Sequence, residues 1–294
     1  MTLGLSHYQL LSEILEKVHY IYDEEELSNV ILKALSASLE TEAGTIFRVH
    51  ESGEIVPTAA CGASLGLLKA LGFSVGSGVV GWVAQYGQPV KVDDPPSDHR
   101  FTAIADAATG FKTRSILSAP VIAKGKTIGV LEFINKKSGP FTIPDLELLS
   151  MIGRELGIAF ENVRLIKELN ENHSYLKSIV TGLGAGLLVL DQRQNVVVLN
   201  ARAKEILGTG LEASMEIRPS AALVAEKAPE FLKLALSLAR SGQAVPRGQL
   251  KALFAGREII VGYSTAPVTG EDGQPSGMTF LFQDITPYEK EAGK

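Results

Sequence analysis

One stretch of the sequence has a residue order that is found in phosphate-binding sites. The tetrapeptide Lys124-Gly125-Lys126-Thr127 has the Gly-Lys-Thr order of a phosphate-binding loop, whose backbone amides and lysine surround the phosphates. Such a loop also needs a glycine five residues before the Gly-Lys pair, and Pro120 stands there. We therefore interpret the tetrapeptide as a hairpin turn.

Histidines could bind a metal ion or carry a phosphoryl group. The five histidines are scattered, and no two have the spacing of metal ligands; they are His7, His19, His50, His99 and His173. His173 is followed by Ser174-Tyr175, without the acid or proline typical of the phosphorylated histidine of a kinase. We expect no metal site, no catalytic centre and no kinase in this chain.

The composition predicts a soluble, cytoplasmic protein of two domains. Of the 294 residues, 45% are hydrophobic and 21% are charged, which allows each half to bury a core. A net charge of −5 without a basic stretch disfavours nucleic-acid binding. No apolar run approaches about 18 residues, and the N-terminus lacks a signal-peptide pattern, so we expect no contact with a membrane. The single cysteine fits a reducing compartment.

The spacing of apolar residues predicts a first domain with a sheet and flanking helices. The predicted helices are 1–22, a second one that opens at Asp23–Glu26, and 79–86; the predicted strands are 44–50, 54–61, 115–123 and 127–135. Ser52-Gly53 and Gly125 mark the turns of two hairpins. The stretch 93–110 has little periodicity and is interpreted as a loop with at most a short helix.

A helical pattern runs from Asp145 to Leu183 without an internal proline. Its apolar positions stand seven residues apart in two registers, which are Leu149, Leu156 and Val163, then Leu169, Leu176 and Leu183. Seven-residue spacing favours a coiled coil, so we expect this helix to pair with its copy in a homodimer. The alternative is two helices that break at 171–173, one on each domain.

The pattern beyond Gly184 predicts a second domain of five strands, with helices between its second and third strands. The fold class is therefore α+β, with two domains that are each a mainly antiparallel sheet flanked by helices, joined by a long helix. The predicted divisions are an N-terminal helix at 1–22, a first domain at 23–165, a linker helix at 166–183, a second domain at 184–290 and a tail at 291–294.

Three motifs follow one another in the first domain: GVVGWVA at 78–84, TGFKTRSIL at 109–117 and IGVLEFINK at 128–136. In this order they resemble a GAF domain over residues 25–165, of the type found in cyclic-nucleotide phosphodiesterases and bacterial adenylate cyclases. The signature of that type is matched by Asn135, Lys136, Phe141 and Asp145, whereas Leu146 replaces its second acid. We interpret the signature as structural, with Lys136 pairing with Asp145 to pin the last strand to the long helix.

The resemblance implies that Asp106, Thr109 and Thr113 contact a ligand. A carboxylate can accept from a purine amine, and threonine hydroxyls can bond to a base or a ribose. Two residues depart from the nucleotide-binding pattern, because Thr102 stands in place of an aromatic residue and Gly76 in place of an acid. The alternatives are a cyclic nucleotide, another small ligand, or a GAF-like domain that only dimerises.

The second domain contains GLLVLD at 186–191, VLNARA at 198–203, ILG at 206–208 and FQDIT at 282–286. These motifs resemble a PAS domain over residues 174–290. The resemblance implies that the end of the sheet passes the signal to a following helix. Asp284 would tie the start of that helix to the sheet, and Thr286 would cap it.

Three cofactors are disfavoured by residue type. Haem or a flavin adduct in the PAS-like domain would need a histidine or cysteine, and neither occurs after Ser174. Met215, Met278 and Tyr263 remain as haem ligands, but we interpret them as core or surface residues. A bilin on the GAF-like domain would need a cysteine with a neighbouring histidine, whereas Cys61 is followed by Gly62 and is interpreted as a packed residue.

These features favour a homodimeric cytoplasmic sensor that binds a small intracellular ligand and passes the signal through the long helix. The alternative is the N-terminal sensory part of a histidine kinase, or of a cyclase, whose catalytic half is absent from this chain. A third interpretation is an adaptor that binds a separate kinase or regulator through its exposed helices.

Overall fold

The computed structural model describes residue 21 and residues 23–208, 221–270 and 272–287. The chain divides into two compact units, Met1–Asn170 and Glu171–Lys294. The predicted N-terminal helix, apart from residue 21, and the tail at 291–294 lie outside the described residues. The predicted α+β class is confirmed, because each unit contains one antiparallel sheet with helices packed on it.

Six strands form the sheet of the first unit, in the order β3-β2-β1-β6-β5-β4. They are β1 (Thr41–Val49), β2 (Glu54–Cys61), β3 (Phe73–Ser74), β4 (Val90–Val92), β5 (Ile116–Ala123) and β6 (Lys126–Lys136). Both predicted hairpins are present, β1–β2 and β5–β6. The second turns at Lys124 and Gly125, with φ of 49° and 75°, and Lys126 and Thr127 begin β6, so the tetrapeptide belongs to a hairpin as predicted.

Helices cover both faces of this sheet. They are α1 (Glu24–Ser38), α2 (Leu65–Lys69), α3 (Gly78–Tyr86), α4 (Ile104–Thr109) and α5 (Ile143–Gly182). α1 and the first half of α5 pack on one face, over Leu131 and Phe133. α3 covers the opposite face, over Phe47 and Val130, and we call this the α3 face. The elements α2, β3 and β4 were not predicted because they are too short to show a period.

The long helix α5 is continuous over 40 residues, so no break occurs at 171–173. Leu149, Leu156 and Val163 are buried in the core of the first unit, which explains the first seven-residue register by packing on the sheet. The apolar side chains of the second half are exposed and include Leu165, Ile166, Leu169, Leu176 and Ile179. None of the described helices combines the length and apolar content that a membrane crossing requires.

Two glycines allow α5 to lie directly against the backbone of β5. A Cβ atom on Gly157 would stand 2.0 Å from the carbonyl oxygen of Ile122, and one on Gly153 would stand 2.3 Å from that of Pro120. Both distances are far below any van der Waals contact, so only glycine fits at these positions. The helix is therefore fixed closely to the strand that carries one wall of the site described below.

Five strands form the sheet of the second unit, in the order β8-β7-β11-β10-β9. They are β7 (Gly186–Asp191), β8 (Val196–Leu199), β9 (Gly248–Phe254), β10 (Arg257–Thr269) and β11 (Pro275–Asp284). The helices α6 (Ala201–Leu207), α7 (Ala221–Lys227) and α8 (Pro229–Ser241) lie between β8 and β9, as predicted. Aromatic rings fill the core, with Phe231 centred 4.6 Å from Phe282 and 5.6 Å from Phe254.

Asn200 joins the last turn of α5 to the core of the second unit. Its side-chain oxygen accepts hydrogen bonds from the backbone amides of Ala203 and Leu187, both at 2.8 Å. Its amide nitrogen donates to the carbonyl oxygens of Val180 at 3.1 Å and Ala185 at 3.0 Å. The two bonds to the Asn200 oxygen are buried and the two from its amide nitrogen are partly buried, and together they fix the end of α5 beside the sheet.

The tie to the sheet that was predicted for Asp284 is made by Thr286 in the structure. The Asp284 carboxylate accepts from the backbone amide of Thr286 at 2.9 Å, and the helix predicted to follow lies largely outside the described residues. The Thr286 hydroxyl accepts from the backbone amide of Ile260 on β10 at 2.8 Å, so Thr286 makes the tie to the sheet. The reason is that the chain continues beside β10 after β11 ends, where Ile285 also donates to the Ile260 carbonyl.

Candidate ligand-binding cavity

A cavity of about 110 Å³ lies between the α3 face of the first sheet and helices α2, α3 and α4. Its polar lining residues are Thr45, Ser77, Thr102, Asp106, Thr109, Thr113 and Glu132, and its aromatic ones are Phe47, Phe73, Phe101 and Phe111. For comparison, an apolar cavity of roughly 150 Å³ holds one benzene molecule. The cavity is smaller than that, so a ligand larger than about one ring would require its walls to move.

The three residues predicted to contact a ligand all lie in the wall of this cavity. Asp106 on α4 accepts two hydrogen bonds from Thr113, from its backbone amide at 2.8 Å and from its hydroxyl at 2.6 Å. Thr109 donates to the carbonyl oxygen of Ala105 at 2.7 Å. These bonds fix α4 against the segment before β5. The two bonds from Thr113 also occupy part of the capacity of the Asp106 carboxylate to accept hydrogen bonds from a ligand.

Asn135 fixes that segment from the other side. It is buried at the end of β6, and its side-chain oxygen accepts from the backbone amide of Arg114 at 2.7 Å. Its amide nitrogen donates to the carbonyl oxygen of Lys112 at 2.9 Å and to Glu42 at 2.8 Å. Asn135 does not line the cavity, but Thr113 does. Asn135 fixes the residues on both sides of Thr113 and so holds this part of the wall in place.

The next residue on β6, Lys136, holds the start of the long helix. Its ammonium nitrogen lies 2.6 Å from a carboxylate oxygen of Asp145, whose side chain is only 3% exposed. The same oxygen of Asp145 accepts from the backbone amide of Thr142 at 2.7 Å, while the Thr142 hydroxyl accepts from the amide of Asp145. This reciprocal pair caps the helix, and Phe141 is buried beside it in the core. Burial opposes ionisation of Asp145, but its hydrogen bonds from Lys136 and Thr142 leave its pKa lowered.

The loop that carries Phe101 and Thr102 is anchored by Arg100. The guanidinium donates to both carboxylate oxygens of Asp98, at 2.9 and 2.7 Å, and lies 4.7 Å from the centre of the Trp82 ring on α3. These hydrogen bonds lower the pKa of Asp98 to about 2. The loop is therefore attached to the helix that forms the opposite wall of the cavity.

Glu132, which the sequence analysis did not select, is the second carboxylate of the cavity. It lies at the middle of β6, opposite Thr45 on β1 and Ser118 on β5. Burial, with a smaller contribution from the charge of Asp106, raises the pKa of Glu132 to about 7. The signal for it was an acid at the centre of an apolar strand, on the same side as Val130 and Ile134, which face α3.

Comparisons with curated proteins match the first unit to cyclic-nucleotide enzymes. The chain is 30% identical over 104 residues to a protein named Probable 3',5'-cyclic phosphodiesterase pde-5 of Caenorhabditis elegans, covering 35% of the chain and 14% of that protein. It is 29% identical over 174 residues to the Dual 3',5'-cyclic-AMP and -GMP phosphodiesterase 11A of Takifugu rubripes, covering 57% and 18%. The chain therefore spans less than a fifth of the length of these relatives.

Solved structures and family profiles identify the two folds. The GAF domain from a phosphoenolpyruvate-protein phosphotransferase of Coxiella burnetii superposes with a TM-score of 0.51 at 19% identity, over 56% of this chain and 98% of that one. The profile of the GAF domain matches residues 23–160, and that of the PAS fold matches residues 174–285. The chain therefore consists of a GAF domain followed by a PAS fold, two sensory domains with the long helix α5 between their sheets.

Proposed function

We propose that this chain is a cytoplasmic sensor whose GAF domain binds a small molecule in the cavity and whose helix α5 passes the change to the PAS fold. The observation that carries the proposal is the connection made by two adjacent residues of β6. Asn135 holds the segment that forms a wall of the cavity, and Lys136 holds the first turn of α5. A ligand that shifts this segment thus acts on the strand that anchors the helix.

The C-terminal end of α5 is attached to the PAS fold through the side chain of one asparagine. Asn200 bonds the carbonyl oxygen of Val180 in the last turn and the backbone of Leu187 on β7. A displacement or rotation of α5 therefore acts on the first strand of the PAS fold. A ligand can move this equilibrium only by the difference between its affinities for the two states.

The proposal includes a homodimer formed along the second half of α5. Leu169 and Leu176 are 68% and 60% exposed, on a helix whose apolar positions repeat every seven residues. Pairing of two copies would bury this stripe and would couple the two sensors, as coiled coils do. The proposal assigns no catalytic centre to the chain.

The dimer is tested by the mass of the full chain in solution. We expect a sedimentation mass of twice 31.4 kDa for the wild type, and a single copy for the double substitution Leu169→Lys with Leu176→Lys. The exposed Glu171→Lys, outside the apolar stripe, is the matched control and is expected to remain a dimer. A wild type that sediments as one copy, or a double variant that remains dimeric, contradicts pairing through this stripe.

Sensing and transmission are tested together by hydrogen exchange on the full chain. A metabolite library that includes cyclic AMP and cyclic GMP is first screened by thermal shift. The screen is repeated with Ala105→Phe, which places a ring in the cavity. Compounds whose thermal shift is lost in this variant bind in the cavity. For such a compound, we expect slower exchange at residues 104–116 and altered exchange at 166–183. Binding without a change in the helix would refute transmission, and a screen without a cavity binder would refute sensing by the cavity.

A second candidate function is favoured by the relatives, which are phosphodiesterases of which this chain matches only a small part. In that case the chain is the regulatory part of an enzyme, such as a histidine kinase or cyclase, or an adaptor that docks on one. Co-purification of the tagged chain with an enzyme whose activity it alters would favour this candidate.

A further inference from the structure

The carboxylate of Glu132 lacks a partner inside the GAF cavity. Among the residues that the structure describes, none makes a hydrogen bond or an ion pair with this carboxylate, which lies at the centre of the sheet. Glu132 is half-buried, at the wall of the cavity. An ionised carboxylate can only accept hydrogen bonds, and one that is withdrawn from bulk water without a partner is destabilising. Such a group needs an explanation, and a bound ion or a functional role is among those that apply.

Two hydroxyl-bearing neighbours of Glu132 donate their hydrogen bonds to other groups, and a third neighbour carries the same charge. Thr113 gives both its amide and its hydroxyl to Asp106, and the Ser118 hydroxyl donates to the carbonyl oxygen of Leu131 at 3.0 Å. Asp106 is the charged group that acts on the pKa of Glu132, and it is also negative. Within the described lining there is no lysine, arginine or histidine. Every formal charge that faces the cavity is thus that of an acid.

The remaining walls are aromatic, with Phe47, Phe73, Phe101 and Phe111 in the lining. The face of an aromatic ring attracts a cation, and it also provides apolar contact for a flat ligand. An anion, in contrast, would meet two carboxylates and no cationic side chain in the described lining. The charge of the cavity and the composition of its walls therefore both favour a cationic ligand over an anionic one.

We propose that this cavity selects a compact ligand of about one ring that carries a protonated nitrogen, which donates to Glu132 while its apolar body contacts the phenylalanines. This inference rests on the proposed function, because it names the class of ligand for the same cavity. The cation would offset one of the two negative charges of Glu132 and Asp106. An anionic ligand, such as a cyclic phosphate, finds no side chain of opposite charge in the described lining.

The elevated pKa of Glu132 supports this assignment and gives it a pH dependence. Glu132 and Asp106 are the titratable groups in the described lining, and burial raises the pKa of Glu132 to about 7. Below that pH Glu132 is protonated and gives a cation no countercharge. Binding of a cation should therefore strengthen as the pH rises through 7, and it should release the proton of Glu132.

The test compares three probes of one shape, benzylamine, benzyl alcohol and benzoate, with cyclic AMP as a phosphate probe. Affinities for the full chain are measured by calorimetry and by NMR at pH 6 and pH 8. We expect benzylamine to bind at least about tenfold more tightly than the other probes at pH 8, and more weakly at pH 6. We expect Glu132→Gln to remove this preference and leave benzyl alcohol unaffected, whereas Glu51→Gln, an exposed acid, changes nothing.

Other outcomes overturn the inference. Tighter binding of benzoate or cyclic AMP than of benzylamine, or an unchanged affinity of Glu132→Gln for benzylamine, refutes the selection of a cation. The proposed function is judged separately. If the library screen yields a compound that Ala105→Phe excludes, but benzylamine does not bind, the charge class fails while sensing by the cavity stands. If neither binds, both fail.

Discussion

Replacing Asp145 with alanine is expected to cost about 3–5 kcal/mol of the free energy of unfolding of the GAF domain. The substitution leaves the ammonium group of Lys136, which is only 14% exposed, without its counterion. It also removes the acceptor for the amide of Thr142 at the start of α5. The loss is measured by urea denaturation followed through Trp82, the only tryptophan, which lies in this domain.

The matched control is an ion pair of the same domain that is exposed to water. Lys124 lies 2.6 Å from Glu161, but it is 68% exposed, so Lys124→Ala is expected to cost less than about 1 kcal/mol. The loss in the free energy of unfolding for Asp145→Asn should lie between these two values, because the side-chain amide oxygen can still accept from Thr142. Equal effects of Asp145→Ala and Lys124→Ala would show that burial of the pair is energetically unimportant.

Glu132→Gln is expected to stabilise the ligand-free GAF domain at pH 8 and to have little effect at pH 5. The folded-state pKa of Glu132 is raised from 4.5 to about 7, so the folded state holds this proton more tightly than the unfolded chain. The stability that the folded domain gains from holding this proton is fully present below pH 4.5 and is lost as the pH rises through 7. A pKa rise of this size corresponds to a loss of at most about 3 kcal/mol in the free energy of unfolding of the wild type at high pH. The glutamine variant has no charge at this position, so it does not suffer this loss.

The measurement is urea denaturation of wild type and variant at pH 5 and pH 8, again through Trp82. Glu51→Gln, at an exposed turn, should follow the wild type at both values. A variant whose stability relative to wild type is the same at pH 5 and pH 8 would show that the site does not disfavour the charge of Glu132. It would also remove the physical basis for the selection of a cation.

The periodic elements and their order could be predicted from the sequence because each depends on local chemistry. The β1–β2 and β5–β6 hairpins follow from alternating residues around turn-forming ones, and the length of α5 follows from a helical pattern without proline. The positions of Asp106, Thr109 and Thr113 followed from family motifs. Their contact with a ligand remains a prediction.

Much of the site could not be predicted, because it depends on which face of the sheet each residue occupies. The alternation along β6 was visible in the sequence, but only packing assigned Leu131 and Phe133 to α1 and α5, and Glu132 to the cavity. The bond of Thr286, and not of Asp284, to β10 depends similarly on the path of the chain beside that strand.

Two α+β domains with a long helix between them could be predicted from the residues alone, since periodicity and turn residues are local properties. Which apolar positions of α5 the GAF core uses depends on the packing of the folded chain. The fold buries Leu149, Leu156 and Val163 and leaves Leu169 and Leu176 exposed, although both sets repeat every seven residues. A seven-residue repeat records only that a helix has an apolar stripe, and what covers that stripe depends on residues far away in the chain.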